Sequence, residues 1–259
     1  MTDSGKGRSG ISLRLLFAAS LSIFAGILAE PAAKAQNTSG AIPPAPQGDH
    51  GHPAWQIEAF AAGGFVPSYT TLIPMTPVAA AYFQMQLDFL NAGLEAGRMV
   101  TALHGPGLLR GRGEAAVEIV PFWLANYPKQ PITVYYTNNQ PPSHFTFPAL
   151  RRYGATITPV LYRWNFMKQE ASRVSPWAQL GGGLLWTNHK FPIVPLTTEN
   201  TSVINFTLQV GAGVNISIKR NRSLDFAVKA VHISNASLGD NNPGLNQTLQ
   251  FSAGYSWWK

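Results

Sequence analysis

The residues best placed to do chemistry in this chain are His232, Ser234 and Asn235, in the run His232-Ile233-Ser234-Asn235-Ala236. An imidazole and a hydroxyl at i and i+2 of a β-strand project from the same face. That is the proximity a serine nucleophile and its general base require. The face they share is apolar. Leu224, Phe226, Val228, Ala230, His232 and Ser234 have one parity, and Asp225 and Lys229 the other. A reactive pair on the greasy side of a strand points to a substrate that is itself greasy.

The elements that position this pair follow from period-two alternation. Eight strands are predicted, at roughly 55–65, 87–100, 113–125, 153–166, 174–186, 203–219, 223–234 and 246–258. The sixth is the clearest: Phe206, Leu208, Val210, Ala212, Val214, Ile216 and Ile218 alternate with Thr207, Gln209, Gly211, Gly213, Asn215, Ser217 and Lys219. The chain is 45% hydrophobic and 12% charged, has no cysteine, and lacks an apolar run of the ~18 residues a spanning helix needs beyond residue 35. Alternation hides hydrophobicity in this way when one strand face meets lipid and the other a lumen. The fold expected is therefore all-β, an eight-stranded antiparallel transmembrane β-barrel. A soluble periplasmic β-sandwich is the weaker alternative, because outward rows of Leu and Phe would lie bare in water.

Residues 1–35 read as a signal peptide: Lys6, Arg8 and Arg14 precede an apolar run from Leu15 to Leu28, and Ala33-Lys34-Ala35 supplies a small-x-small cleavage site. Cleavage there would remove four bases and two acids and lower the net charge from +7 to +5. Residues 36–54, rich in proline, read as a disordered lead-in, and 55–259 as a single barrel domain. No basic run is interleaved with aromatics, so nucleic acid is not an expected partner.

Barrel geometry turns the polar parity inward, where Glu58, Glu95, Glu118, Asp225 and Lys229 must pair with one another and with Arg98 or Arg163. Gly181, Gly183, Gly211 and Gly213 share this inner parity, where missing side chains relieve crowding. Trp123, Trp164, Trp186, Trp257 and Trp258 are candidates for interfacial belts. Three long connections, 66–86, 126–152 and 187–202, fall on one side, the outer one, and 66–86 could hold a short helix. None of His50, His52, His104, His144 and His189 has a second ligand at metal-binding spacing, so no metal or cofactor is expected.

His232-Ile233-Ser234-Asn235-Ala236 followed by Asn242-Pro243-Gly244 and an aromatic-rich last strand resembles the lipid A 3-O-deacylase (PagL-type, acyloxyacyl hydrolase-like) family of outer-membrane proteins. The resemblance implies an outer-membrane esterase that removes an ester-linked acyl chain from lipid A or a related glycolipid. It implies lipid A or lipopolysaccharide and outer-membrane lipids as partners, in a monomer or homodimer. It also implies Ser234 as nucleophile, His232 as base and Asn235 in the oxyanion hole. Two positions depart from the family pattern. Asn246 stands where the family has a glutamate fourteen residues after the histidine, and Ser237 where it usually has glycine. Strict alternation puts Asn246 on the lumen side unless the last strand begins with a bulge. Asp240 is the alternative acid. A barrel of the same ancestry that has lost its chemistry and keeps a structural or lipid-binding role is the competing reading.

Overall fold

The structure, a computed structural model, describes residues 55–76, 79–168, 172–193, 201–238 and 245–259. The expected signal peptide and lead-in lie outside these. Ten strands are present: β1 (Trp55–Thr76), β2 (Ala79–Met99), β3 (Gly111–Tyr127), β4 (Gln130–Tyr136), β5 (Ser143–Phe147), β6 (Leu150–Phe166), β7 (Val174–Phe191), β8 (Ser202–Lys219), β9 (Arg222–Ser234) and β10 (Leu245–Trp258). Eight of them, all but β4 and β5, form a ring of antiparallel pairs, and β1 closes it by pairing with both β2 and β10. The fold is thus a closed eight-stranded antiparallel barrel. Closure leaves no unpaired edge, the condition for strands to cross lipid. One 3-10 turn, Gly107–Leu109, is the only helical element among the described residues.

Strand parity follows the alternation. Ile57, Leu94, Ile119, Ile157, Leu180, Leu208 and Val210 are exposed on the outer wall, while Glu58, Glu95, Glu118, Gln179 and Gln209 are buried inside. Glycine supplies room where the lumen narrows. A Cβ on Gly213 would collide with the Trp177 ring, and one on Gly254 with the Glu58 carboxylate.

The buried charges form one cluster. Arg163 pairs with Glu95 at 2.7 Å, lies 4.0 Å from both Glu58 and Glu114, donates twice to Gln179 Oε1, and stacks over Trp177 at 4.3 Å. Lys229 pairs with Glu118, which also accepts from Gln209 Nε2 at 3.1 Å. Trp177 Nε1 donates to Asp225 at 2.8 Å. Arg98 takes no part. It is exposed, 5.4 Å from the Trp55 ring. Glu114, which faces Arg163 across the β3–β6 pair, is the member the alternation did not single out.

Three expectations change. Residues 66–86 hold no helix in their described part: β1 and β2 run on as a paired ribbon as far as Thr76 and Ala79. The stretch 126–152 contains the β4–β5 hairpin, tied to β2 through Ala81↔Tyr136 and Tyr82↔Tyr135. Trp123 is not in a belt. It is buried in an apolar cluster with Phe83, Met85, Leu87, Phe89, Tyr127, Leu185, Phe191, Ile233 and Leu245 that fills the lumen at the loop-bearing end. At that end the strand pattern inverts. Phe83, Met85 and Leu87 are buried and Gln84 and Gln86 exposed, because the outer wall there meets water instead of lipid. Trp55, Lys259 and the shorter turns occupy the opposite end, as in outer-membrane barrels whose long loops face outward.

Candidate active site

His232 and Ser234 close β9 at the loop-bearing end. Both are half-buried on the outer wall, while Val231, Ile233 and Asn235 are buried behind them. Two strand steps put their Cα atoms about 6.6 Å apart on one face. On β8, Leu208 stands opposite His232 and Phe206 opposite Ser234, and on β7 Leu184 stands opposite Phe206. All three are exposed apolar side chains. One pair further out, Trp186 is 55% exposed and faces Ile204, and beyond it Asn188 and Lys190 turn outward. The pair therefore lies at the upper rim of the apolar band, just below an interfacial tryptophan.

The chain leaves β9 through a tight turn. Ala236 and Ser237 both adopt the left-handed region, with φ of 48° and 65°. Non-glycine residues rarely enter it, and local hydrogen bonds hold them there. The Ala236 N–H donates to Ser234 Oγ at 3.2 Å, the Ser237 N–H to Asn235 Oδ1 at 3.0 Å, and the Leu238 N–H to the Asn235 carbonyl at 2.9 Å. The Asn235 side chain is fully buried. Its Oδ1 thus sits within the turn that follows Ser234.

Asn246 lies in β10, which pairs with β9. Leu245 is opposite Ile233 and Thr248 opposite Val231, so the two residues Asn246 and Gln247 together face the single residue His232. This is a β-bulge, the condition under which strict alternation fails for Asn246. Bulges of this kind are common beside active sites. Asp240 and the Asn242-Pro243-Gly244 run lie outside the described residues. A cavity of about 40 Å³ touches Glu118, Gln209, Lys229, Val231 and Ile233, but it is inside the lumen, on the other side of β9 from His232 and Ser234.

A hydroxyl and an imidazole side by side on a lipid-facing wall suit acyl transfer from a substrate embedded in the membrane. Residues 112–256 match the model of the family described as lipid A 3-O-deacylase (PagL). The chain belongs to that family. Family membership and the lipid-facing closed barrel locate the protein in the bacterial outer membrane. Similar solved structures include the outer membrane protein OprG from Pseudomonas aeruginosa, 11% identical, with a TM-score of 0.48 over 80% of this chain and 96% of that one. Another is the outer membrane enzyme PagL, 15% identical, with a TM-score of 0.41 over 77% of this chain and 98% of that one. No curated protein sequence matches the chain. The matched residues include all of β9, and so both His232 and Ser234, and β10 as far as Ser256.

Sequence reasoning could not find Leu184, Phe206 and Leu208 as the neighbours of this pair. Their outward parity is legible, but which of many outward residues stands beside Ser234 depends on strand register, which alternation does not set.

Proposed function

We propose that this deacylase-family barrel is a lipid A esterase whose nucleophile is Ser234 and whose general base is His232. The observation that carries the reading is their shared position on the outer wall at the upper rim of the apolar band. An ester that joins an acyl chain to a sugar head group lies at that depth, with the chain among lipid tails and the sugar in the head-group layer.

Ser234 Oγ attacks the ester carbonyl carbon while His232 takes the hydroxyl proton. The carbon–oxygen bond to the sugar then breaks, and His232 returns the proton to the sugar oxygen. Water attacks the acyl-serine in the same manner and releases the fatty acid. Asn235 and the Ala236 N–H, which donates to Ser234 Oγ at 3.2 Å, are the candidate oxyanion donors. By backbone register Asn246 and Gln247 are the candidates to orient the imidazole. Exposed Phe206, Leu208 and Leu184 offer the scissile acyl chain an apolar bed.

Mass spectrometry of lipid A from cells with and without the protein tests this. Wild type should remove one acyl chain, and Ser234→Ala and His232→Ala should each abolish the loss. The double variant should be scarcely worse than either single one, because nucleophile and base act as a unit. Unchanged lipid A in cells that make folded wild-type barrel would leave the non-catalytic reading, to which the missing carboxylate at Asn246 already lends weight.

A further inference from the structure

The end of the barrel opposite the candidate active site is strongly basic. The turn between β2 and β3 presents Arg110, that between β6 and β7 Lys168 and Arg173, and that between β8 and β9 Lys219, Arg220 and Arg222. Across residues 100–110, 167–173 and 219–222 the sequence contains one acid, Glu170, which lies outside the described residues. At the loop-bearing end, by contrast, the described residues Lys129, Arg151, Arg152 and Lys190 are joined by Asp88.

Described residues at the first two of these turns line an open cleft of about 460 Å³. Arg110 and Lys168 line it together with Leu108, Phe166, Met167 and Val174. The cleft has a fixed frame. The Met167 N–H donates to the Arg110 carbonyl at 2.9 Å, Trp164 Nε1 donates to the Leu109 carbonyl at 3.2 Å, and the His104 ring meets the Trp164 ring edge-on at 4.9 Å. At the tip, Leu108 is 84% exposed and Leu109 64%. Two adjacent bare leucines beside two bare cations make an interfacial pattern, with apolar groups entering the acyl layer and the cations staying level with the phosphates.

We propose that this cleft binds an anionic phospholipid of the inner leaflet, its phosphodiester between Arg110 and Lys168 and its acyl chains against Leu108 and Val174. No carboxylate lines the cleft among the described residues. The charged groups among the described lining residues, Arg110 and Lys168, are both cationic, and that charge favours an anionic lipid over a zwitterionic one.

The test uses the full barrel in nanodiscs of equal parts phosphatidylglycerol and phosphatidylcholine, with native mass spectrometry of the lipids it retains. Wild type should keep one phosphatidylglycerol in preference to phosphatidylcholine. Arg110→Ala with Lys168→Ala should weaken that retention about 30-fold, as expected for two basic groups near a membrane surface. Arg151→Ala with Arg152→Ala, at the other end, should leave it unchanged. Equal retention of the two lipids by wild type, or undiminished preference in the Arg110/Lys168 variant, would overturn the proposal. So would displacement of the bound lipid by inorganic phosphate alone, which would make the cleft a site for free anions.

Discussion

In the terminal half of the lumen five carboxylates, one guanidinium and one ammonium interlock: Glu58, Glu95, Glu114, Glu118 and Asp225 around Arg163 and Lys229. In the loop-bearing half, behind Ser234, the side chains Val231, Ile233 and Leu245 pack against Phe83, Phe89, Trp123 and Phe191, with Phe89–Trp123 and Trp123–Phe191 ring centroids 5.6 and 5.1 Å apart. The two halves respond differently to damage. Directional pairs fix the first, and losing one member strands the others in a dry interior. Shape fixes the second, and a lost methyl group leaves a void into which neighbours relax. The candidate site is built on the second half, so its geometry depends on packing and on the turn at its edge, while the Arg163 pairs anchor the other end.

Arg163→Ala should show the largest effect. It strips the counter-charge from Glu95, Glu58 and Glu114 at once, and breaking a buried pair of this kind costs about 3–5 kcal/mol. Urea denaturation followed by heat-modifiable gel mobility should report that loss. The barrels that do fold should deacylate at the wild-type rate, because Arg163 lies at the other end of the lumen from Ser234. A folded Arg163→Ala barrel with collapsed activity would break the division between the halves.

Ile233→Ala should invert that pattern. Ile233 is buried between His232 and Ser234 on the lumen face of β9. Truncating it should cost about 2–4 kcal/mol and lower deacylation per folded barrel about 10-fold or more, since small displacements of a reacting group are costly. The same denaturation series with a per-barrel rate measurement separates the two effects. A rate equal to wild type would mean that the apolar half does not position the pair.

The charged half is also where the sequence was most legible. Inward Glu58, Glu95, Glu118, Asp225 and Lys229 stand out because charges on one parity of strands whose other parity is apolar point to a barrel interior, and the outward parity of His232 and Ser234 follows from the same rule. The loop-bearing half was read less well, for a physical reason. Above the membrane the outer wall becomes polar and the lumen apolar, so at Phe83 to Leu87 the pattern reverses and no longer announces a lipid-crossing strand. The bulge at Asn246 was legible only as a condition, because an inserted residue changes pairing without changing composition.

Asn246→Glu should sharpen the account of the site. The bulge sets Asn246 and Gln247 opposite His232, and a carboxylate there would stabilise the imidazolium and hold its tautomer. Its loss from a serine triad costs about 10⁴ in turnover, and restoring it in a chain adapted to asparagine should raise the rate by about 10- to 100-fold. Lipid A mass spectrometry over time provides the comparison with wild type. If Asn246→Glu leaves the rate unchanged while Asp240→Ala abolishes it, the orienting acid comes from the loop.

The smallest effect should come from the turn itself. Ser237 holds a φ of 65°, next to Ala236 at 48°, and an L side chain in that region costs about 1–2 kcal/mol relative to glycine. Glycine in turn loses more conformational entropy on folding, about 0.5–1 kcal/mol. Ser237→Gly should therefore raise stability by about 0.5–1 kcal/mol in urea, since its N–H still donates to Asn235 Oδ1. The rate should change little, because that hydrogen bond and the one from Ala236 to Ser234 Oγ both persist. Ala236→Gly removes the neighbouring strain and should stabilise by a similar amount. Should either glycine instead slow deacylation while stabilising the barrel, the strained turn is what holds Ser234 in its reactive position.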